Sequence, residues 1–554
     1  MSFLEFIKNI FTYSEESPLI FTRFFFWGFF AIVLLGYCFV HKRFALRSLY
    51  LLIVSLFFYY KSSGFFFLLL IFNTLFEYFV GLSLYKSKSE IYRKLLLAFS
   101  IVVNLFILSY FKYTYFFTSV INDLFGTNLV AYNYLADFSN LLTGSHFDTS
   151  RIFLPVGISF YTFQTMSYTL DIYKRKLEPV KNIIDFGFYV AFFPPLVAGP
   201  IVRAADFIPQ IYKKFQLSRY EFGLAVFMIL KGLIKKITIG DYIAVNFVDR
   251  IFSNPEMYSG FESFMAMLGY SLQVYVDFSG YTDIAIGVAL LMGFRLRQNF
   301  NSPYKATNCG EFWKRWHMSL SSWLKDYLYI PLGGNRNASV GTWVNFALIL
   351  GIFALLAASF WVSIGLLIFG VFIISLMFIF PKSKKNIITN INLMITMLLG
   401  GLWHGSSWNF MIWGGLNGIG IVVYKFWRKI SPWEKYNNVL ATVWKIALTF
   451  GFVTFTRVFF RAPDYDTAAT MLHRIWNNFS PEVIPAVMAG YYKVWLLMLF
   501  GFITHWLSNK FKDKWRDKFI NAPHWSQVLI AVAIIFMVYQ SICSEMQAFI
   551  YFQF

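Results

Sequence analysis

Charge is scarce in this chain: Asp, Glu, Lys and Arg make up 14% of its 554 residues, where a soluble domain carries about a quarter. Hydrophobic residues make up 58%, and apolar runs of about 20 residues, the length that crosses a bilayer, recur from end to end. A water-soluble fold is thereby excluded, and the chain reads as an all-α polytopic membrane protein. Cysteine is scarcer still. Cys38, Cys309 and Cys543 are too few and too scattered for a disulfide framework or a thiolate metal site. Neither HExxH nor CxxC occurs, nor a Walker A loop, nor a G-x-S-x-G elbow with triad context, so no metal site is expected and these hydrolase classes lose their support. Acidic residues are outnumbered 28 to 48, giving a formal net charge of +20. No basic domain lies outside the apolar runs, so this excess belongs to cytoplasmic loops rather than to a nucleic-acid surface. What is abundant is phenylalanine, at 69 residues, which suits lipid-facing and helix-packing surfaces and specifies no chemistry.

The apolar runs predict about 11–14 transmembrane or re-entrant helices. Candidate spans lie near 19–40, 46–61, 64–85, 94–118, 152–172, 183–200, 222–240, 262–293, 389–403, 407–425, 441–460, 491–508 and 526–545, and the run 342–380 is long enough for two helices. Residues 1–150 hold N-terminal transmembrane helices, 151–465 a core with the polar motifs, and 466–554 C-terminal helices. The opening MSFLEFIKNIFTYSEESP reads as an amphipathic surface segment. Basic loops at HKRFALR, KSKSEIYRK and YKRKLEPVK alternate with the base-poor stretch 119–150, which puts the N-terminus outside. KFKDKWRDK (511–518, counted from its preceding Lys510) reads as cytoplasmic, and the single run after it carries the C-terminus outside. AFFPPLVAGPIVR at 191–203 contains three prolines, and broken backbone at membrane depth is tolerated only inside protein or along a wet cavity.

Seven histidines occur, and two sit in dense aromatic settings. His404 ends a hydrophobic run in GLWHGSSW, between Trp403 and Gly405. An imidazole there acts as a general base on an acceptor hydroxyl, or is a buried group satisfied between helices. His317 lies in EFWKRWHMSLSSWLKDYLYIPLGGNR with Trp316 and Arg315, a stretch too polar to span. It reads as interfacial helices ended by a PLGGN turn, forming either a donor entrance or a tryptophan belt with a basic face. Asp277 and Asp283 are intramembrane acids that either fix a histidine tautomer or pair with a cation such as Arg203 or Lys314. The chain ends in FIYFQF, a hydrophobic plug with one hydroxyl, that of Tyr551.

Six blocks in order carry a resemblance: LPVGISFYTFQTMSYTLDIYK (154–174), FFPPLVAGPIVR (192–203), VYVDFSGYTDIAIG (274–287), FWKRWHMSLSSWLKDYLYIPLGGNR (312–336), GLWHGSSWNFMIWG (401–414) and VFFRAPD (458–464). Together they resemble the membrane-bound O-acyltransferase (MBOAT) family, and most closely its bacterial alginate O-acetyltransferase branch, related to the D-alanyl transferase of teichoic acids. The resemblance implies a ring of helices around a central funnel in the bacterial inner membrane. It implies transfer of an acyl group from a cytoplasmic thioester, acetyl-CoA as substrate with no bound cofactor, to an extracellular polysaccharide acceptor. Membrane lipid surrounds the protein, and an exported SGNH-hydrolase-like acyltransferase outside is the implied partner. His404 and His317 map onto the two hallmark histidines, with Asp277, Trp316, Trp403, Asn409 and Arg315 supporting. Phe549, Tyr551 and Phe554 match an F-x-Y-x-x-F spacing whose tyrosine relays the acyl group in the D-alanylation system. Two departures stand out: the insertion 342–380, and Asn417 where relatives carry a further histidine. Competing readings are a polysaccharide or lipid transporter, or an acyltransferase acting on lipid or protein.

Overall fold

The computed structural model describes residues 11–14, 18–144, 146–356, 360–436 and 438–542. Most of the N-terminal amphipathic segment, and the whole C-terminal FIYFQF with Tyr551, lie outside the described residues. Helix accounts for 79% of the described residues, and no strand occurs among them. Each apolar run of the sequence folds as helix, as with Phe24–Val40, Phe44–Ser63, Gly260–Leu291, Trp408–Ile430 and His524–Gln540. Six helical stretches among the described residues are long and apolar enough to cross a membrane, and up to eight if each of two bent pairs counts as one span. The chain is therefore a multi-pass, all-helical membrane protein. Pro194, Pro195 and Pro200 lack N–H groups, so the helix Ile183–Ala191 stops and gives way to the single turn Phe193–Leu196. The insertion forms two helices, Val340–Leu356 and Phe360–Ile379, which pack on each other.

The chain divides into two compact units that do not follow chain order. The first comprises residues up to Asn104, Pro155–Leu320 and from Val443 onward, and the second Leu105–Leu154 with Ser321–Thr442.

The first unit is organised by the helix Arg219–Leu233 lying along Gly260–Leu291. Both begin with a capping box, Ser218 with Glu221 and Ser259 with Glu262, in which serine and glutamate satisfy each other's orphan N–H groups. Their close approach needs glycine: a Cβ on Gly232 would lie 2.6 Å from the Gly280 carbonyl oxygen, and one on Gly280 2.8 Å from that of Gly232. Without side chains there, backbone meets backbone, as small residues allow between membrane helices. Arg219–Leu233 then continues as a π-helical stretch, Ile234–Asp241. It buries Lys236, which pairs with Asp241 at 2.7 Å and also with Asp277. Asp283 takes Lys235 at 2.8 Å and Lys231 at 3.1 Å. Of the alternatives left open for the intramembrane acids, the structure selects ion pairing, and the lysines come from the neighbouring helix rather than from Lys314.

In the second unit Lys384–His404 packs along Trp408–Ile430, again through glycines, Gly401 facing Gly414. The PLGGN turn docks on the first of these helices. Asn392 donates from Nδ2 to the carbonyls of Gly334 (3.1 Å) and Asn337 (3.2 Å) and accepts from the Thr342 hydroxyl at 2.8 Å. Gly333 (φ +113°) and Gly334 (φ +56°) make that turn in backbone regions that side chains disfavour.

Overpacking at a backbone contact costs about 1–3 kcal/mol. Gly232→Ala and Gly280→Ala are each expected to lower the melting temperature of the detergent-solubilised protein. Gly28→Ala, where a Cβ meets nothing within 4 Å, is expected to leave it unchanged or raise it. Equal melting of all three variants would contradict this packing.

Candidate active site

His404 is the last residue of the helix Lys384–His404, and it is buried. A helix leaves its final carbonyls without intrahelical partners, and inside a membrane protein no bulk water replaces them. Here the partners come from the π-helical stretch Ser109–Tyr113 of the same unit. The Lys112 ammonium donates to the Trp403 carbonyl at 2.8 Å and to the His404 carbonyl at 3.0 Å. The Tyr113 hydroxyl donates to the Leu402 carbonyl at 2.7 Å. A cation at this position also complements the negative end of the helix dipole. The lysine is buried, and its charge lies 6.0 Å over the Trp403 ring.

Aromatic rings wall the imidazole. Trp403 and Trp413 each stand edge-on to it, with centroids 5.0 Å away. Gly405 follows in extended conformation, and any side chain there would strike the Phe410 ring. The chain therefore leaves His404 sharply and re-enters helix at Trp408. Asn409, in the first turn of that helix, is buried, and so is Asn417 two turns on. Asn417 donates its Nδ2 to the Trp413 carbonyl at 2.8 Å, so the position where a further histidine was expected is bound into its own helix.

His317 belongs to the first unit. It joins two seven-residue helices, Cys309–Arg315 and Met318–Leu324, and its backbone is left-handed (φ +43°), uncommon for a residue with a side chain. Asn299 holds it there. The Asn299 carbonyl accepts from the Met318 N–H at 2.9 Å, and its Oδ1 accepts from the Ser319 N–H at 3.1 Å and hydroxyl at 2.9 Å. The same Oδ1 lies 3.3 Å from His317 Nδ1. That geometry assigns the proton to Nδ1 and leaves Nε2 as the ring's acceptor. The ring stands on Phe278, 4.7 Å between centroids. Burial lowers its pKa to about 3, so it is a neutral imidazole throughout the physiological range.

Trp316 is buried beneath Arg457, whose guanidinium sits 4.3 Å above its ring and also bonds the Tyr304 hydroxyl. This pins the segment leading into His317. Arg315 instead grips Glu311 one turn back, at 2.7 and 2.8 Å, and reaches the Asn301 carbonyl at 3.3 Å. Asp277 shares Lys236 with Asp241, a structural role one residue before the Phe278 that carries His317. The structure thus gathers Trp403 with His404 in one unit, and Trp316 and Arg315 with His317 in the other.

Sequence reasoning missed Lys112, Asn299 and Arg457. A lysine inside the run 94–118 and an arginine inside 441–460 are charges at membrane depth, which by themselves mark a functional or structural partner. Asn299 sits in the polar link RQNFNSPYK and gave no such signal.

Comparison with known proteins agrees with the family resemblance, and the family match spans the first four of the six blocks. Residues 52–394 match the MBOAT, membrane-bound O-acyltransferase family. A peptidoglycan O-acetyltransferase of Helicobacter pylori is 33% identical over 496 residues, 84% of this chain and 80% of the relative. A protein named "Probable alginate O-acetylase AlgI" in Pseudomonas aeruginosa is 33% identical over 407 residues, 73% of this chain and 65% of the relative. The teichoic acid D-alanyltransferase of Bacillus subtilis is 26% identical over 318 residues, 54% of this chain and 67% of the relative. The chain belongs to the membrane-bound O-acyltransferase family, and it is an O-acyltransferase.

Misplacing a reacting group by an ångström costs on the order of 100-fold in rate. Lys112→Met is therefore expected to cut acyl transfer by about 10–100-fold at equal protein level, with Lys112→Arg restoring part of it. An undiminished rate in Lys112→Met would refute the cap's role. The His317 shift makes a second expectation. Its folded pKa lies below the unfolded value near 6.5, so its contribution is complete above about pH 6.5 and stability is lost as pH falls towards 3, by about 1.4 kcal/mol per pH unit. Melting temperature should decline less steeply from pH 6.5 to 4.5 in His317→Asn than in the parent, and identical slopes would contradict the assignment.

Proposed function

We propose, with that membership as premise, that the protein moves an acetyl group from a cytoplasmic thioester, acetyl-CoA, through the membrane for O-acetylation of an extracellular polysaccharide. The observation that carries this reading is the His404 imidazole, buried between two tryptophans at a helix end fixed by Lys112 and Tyr113. A neutral imidazole in that setting takes the proton of an acceptor hydroxyl as its oxygen attacks the thioester carbonyl. The new C–O bond forms, the C–S bond breaks, and the proton passes to the departing thiolate, so the imidazole is returned neutral and the acetyl group rests on the acceptor oxygen. No bound cofactor is needed. The neutral His317, with Nε2 as acceptor, serves on the donor's path, and Trp316, Trp403, Asn409, Asp277 and Arg315 shape the surroundings.

The names of the relatives, which refer to O-acetylation of peptidoglycan and alginate and D-alanylation of teichoic acid, support a cell-envelope glycopolymer as final acceptor. They support placement in the bacterial inner membrane. The Tyr551 hydroxyl is the first acceptor in this proposal, and an exported SGNH-hydrolase-like partner carries the group onward to the polymer.

General acid–base catalysis contributes about 10²–10⁴-fold, so His404→Ala should lose that much transfer while keeping its melting temperature. Retained transfer by a folded His404→Ala protein would sink the assignment. Intact-protein mass spectrometry after incubation with acetyl-CoA should find an acetyl adduct on the C-terminal peptide that is absent in Tyr551→Phe. An adduct that persists in that variant would remove Tyr551 from the path.

A further inference from the structure

Beside the Asp283 pairs, the first unit assembles more cations than it has acids to match. Lys231 and Lys235 share one oxygen of Asp283, and Lys235 also donates to the Ser279 hydroxyl at 3.1 Å. The Lys235 ammonium lies 5.3 Å over the ring of Tyr275, and Tyr275 stands 4.7 Å from the ring of His505. His505 brings two more lysines to the same place. Its carbonyl accepts from Lys512 at 2.7 Å, and its Nε2 accepts from the N–H of Tyr304, the residue before Lys305. Lys305 in turn donates to the Leu507 carbonyl at 2.7 Å, and Lys512 to the Ser302 hydroxyl at 3.2 Å. Lys512 lies in the positive field of Lys305, Lys235 and Lys231, and Arg315 adds to the field at Lys305.

Among the described residues, Asp283 is the one carboxylate ion-paired with these lysines, and the nearby Asp513 is occupied by Arg516 at 2.8 Å. Backbone carbonyls and hydroxyls orient the other ammoniums without neutralising them. All four lysines are half-buried, which keeps them reachable while raising the cost of unmatched charge. A second observation points to an occupant: His505 is buried, and its Nδ1 finds no partner among the described residues. Four converging ammoniums around an unused polar nitrogen suit an anion of high charge density, and phosphate oxygens accept from lysine in this way.

We propose that Lys231, Lys235, Lys305 and Lys512, with His505 at their centre, bind the phosphate groups of a nucleotide-linked acyl thioester. This rests on the acyl-transfer reading and adds to it the place where the donor's nucleotide end is held. The basic stretch containing Lys512 is the one read as cytoplasmic, the side from which such a donor arrives. Acyl chemistry takes place at the far end of the pantetheine arm, so the cluster binds the donor without touching the reacting atoms.

The full-length protein in detergent should bind coenzyme A with an affinity that falls about tenfold or more in Lys305→Gln/Lys512→Gln, the loss of charge-assisted hydrogen bonds, and that returns in Lys305→Arg/Lys512→Arg. Adenosine 3′,5′-bisphosphate should compete, and pantetheine, which has no phosphate, should bind equally to parent and variant. Amine-reactive footprinting of the unmutated protein gives the same answer without a variant: coenzyme A should shield Lys305 and Lys512. Unchanged coenzyme A affinity in the double Gln variant, or no shielding, would overturn the proposal. So would an effect seen only as a difference between nanodiscs with and without phosphatidylglycerol, which would give the lysines to lipid headgroups. The two readings fail separately: active His404→Ala with intact shielding refutes the histidine's role alone, and inactive His404→Ala without shielding refutes this site alone.

Discussion

A helix that stops inside a membrane protein must have its last carbonyls satisfied by protein, because no water is there to do it. In this chain that constraint falls on Leu402, Trp403 and His404, and it is met by Lys112 and Tyr113. An orphaned buried carbonyl costs several kcal/mol, so the lysine and tyrosine fix where the helix ends and which residue stands at its tip. The rest of the site builds on that end. Gly401 and Gly414 bring the next helix to backbone contact, Gly405 yields to the Phe410 ring, and Trp403 and Trp413 close on the imidazole. Each of these residues suits a fixed histidine better than a mobile one, and fixed geometry is what proton transfer in a water-poor site requires.

The first unit answers the same shortage of water with charge pairing. Lys236 is matched by two buried acids, and Arg457 is matched by ring faces and by the Tyr304 hydroxyl. These residues stiffen the walls around His317, whose left-handed backbone is held by Asn299. Where matching stops, at the four lysines around His505, the excess of positive charge becomes binding capacity rather than support.

Much of the fold was legible because hydrophobic run length is a direct consequence of bilayer thickness. The ends of Phe44–Ser63, Gly260–Leu291 and Trp408–Ile430 fall within a few residues of the apolar runs, and the prolines at 194, 195 and 200 break the backbone where their missing N–H groups require. The insertion's two helices followed from length alone. His404 and His317 were legible because titratable rings are rare in such surroundings. Their supports were not. Lys112 serves a helix end 291 residues away in sequence, Asn299 acts through backbone geometry, and Arg457 reaches the His317 segment from another helix. Contacts of that separation leave no local pattern. The acids show the same limit: Asp277 and Asp283 were recognisable as buried charges, but which lysines they meet depends on the Gly232–Gly280 approach of two helices. The division into two units that each gather distant segments is likewise invisible to chain order.

The central claim is that an acyl group passes by way of His404 from a donor on one face to an acceptor on the other. Sealed proteoliposomes test it most directly, with radiolabelled acetyl-CoA confined to the face that exposes the 510–518 stretch and polysaccharide acceptor, with its exported partner, on the opposite face. Label should reach the external polymer while coenzyme A stays inside, and transfer should vanish in His404→Ala. Polymer left unlabelled by the parent protein, or labelled equally by His404→Ala, would contradict it.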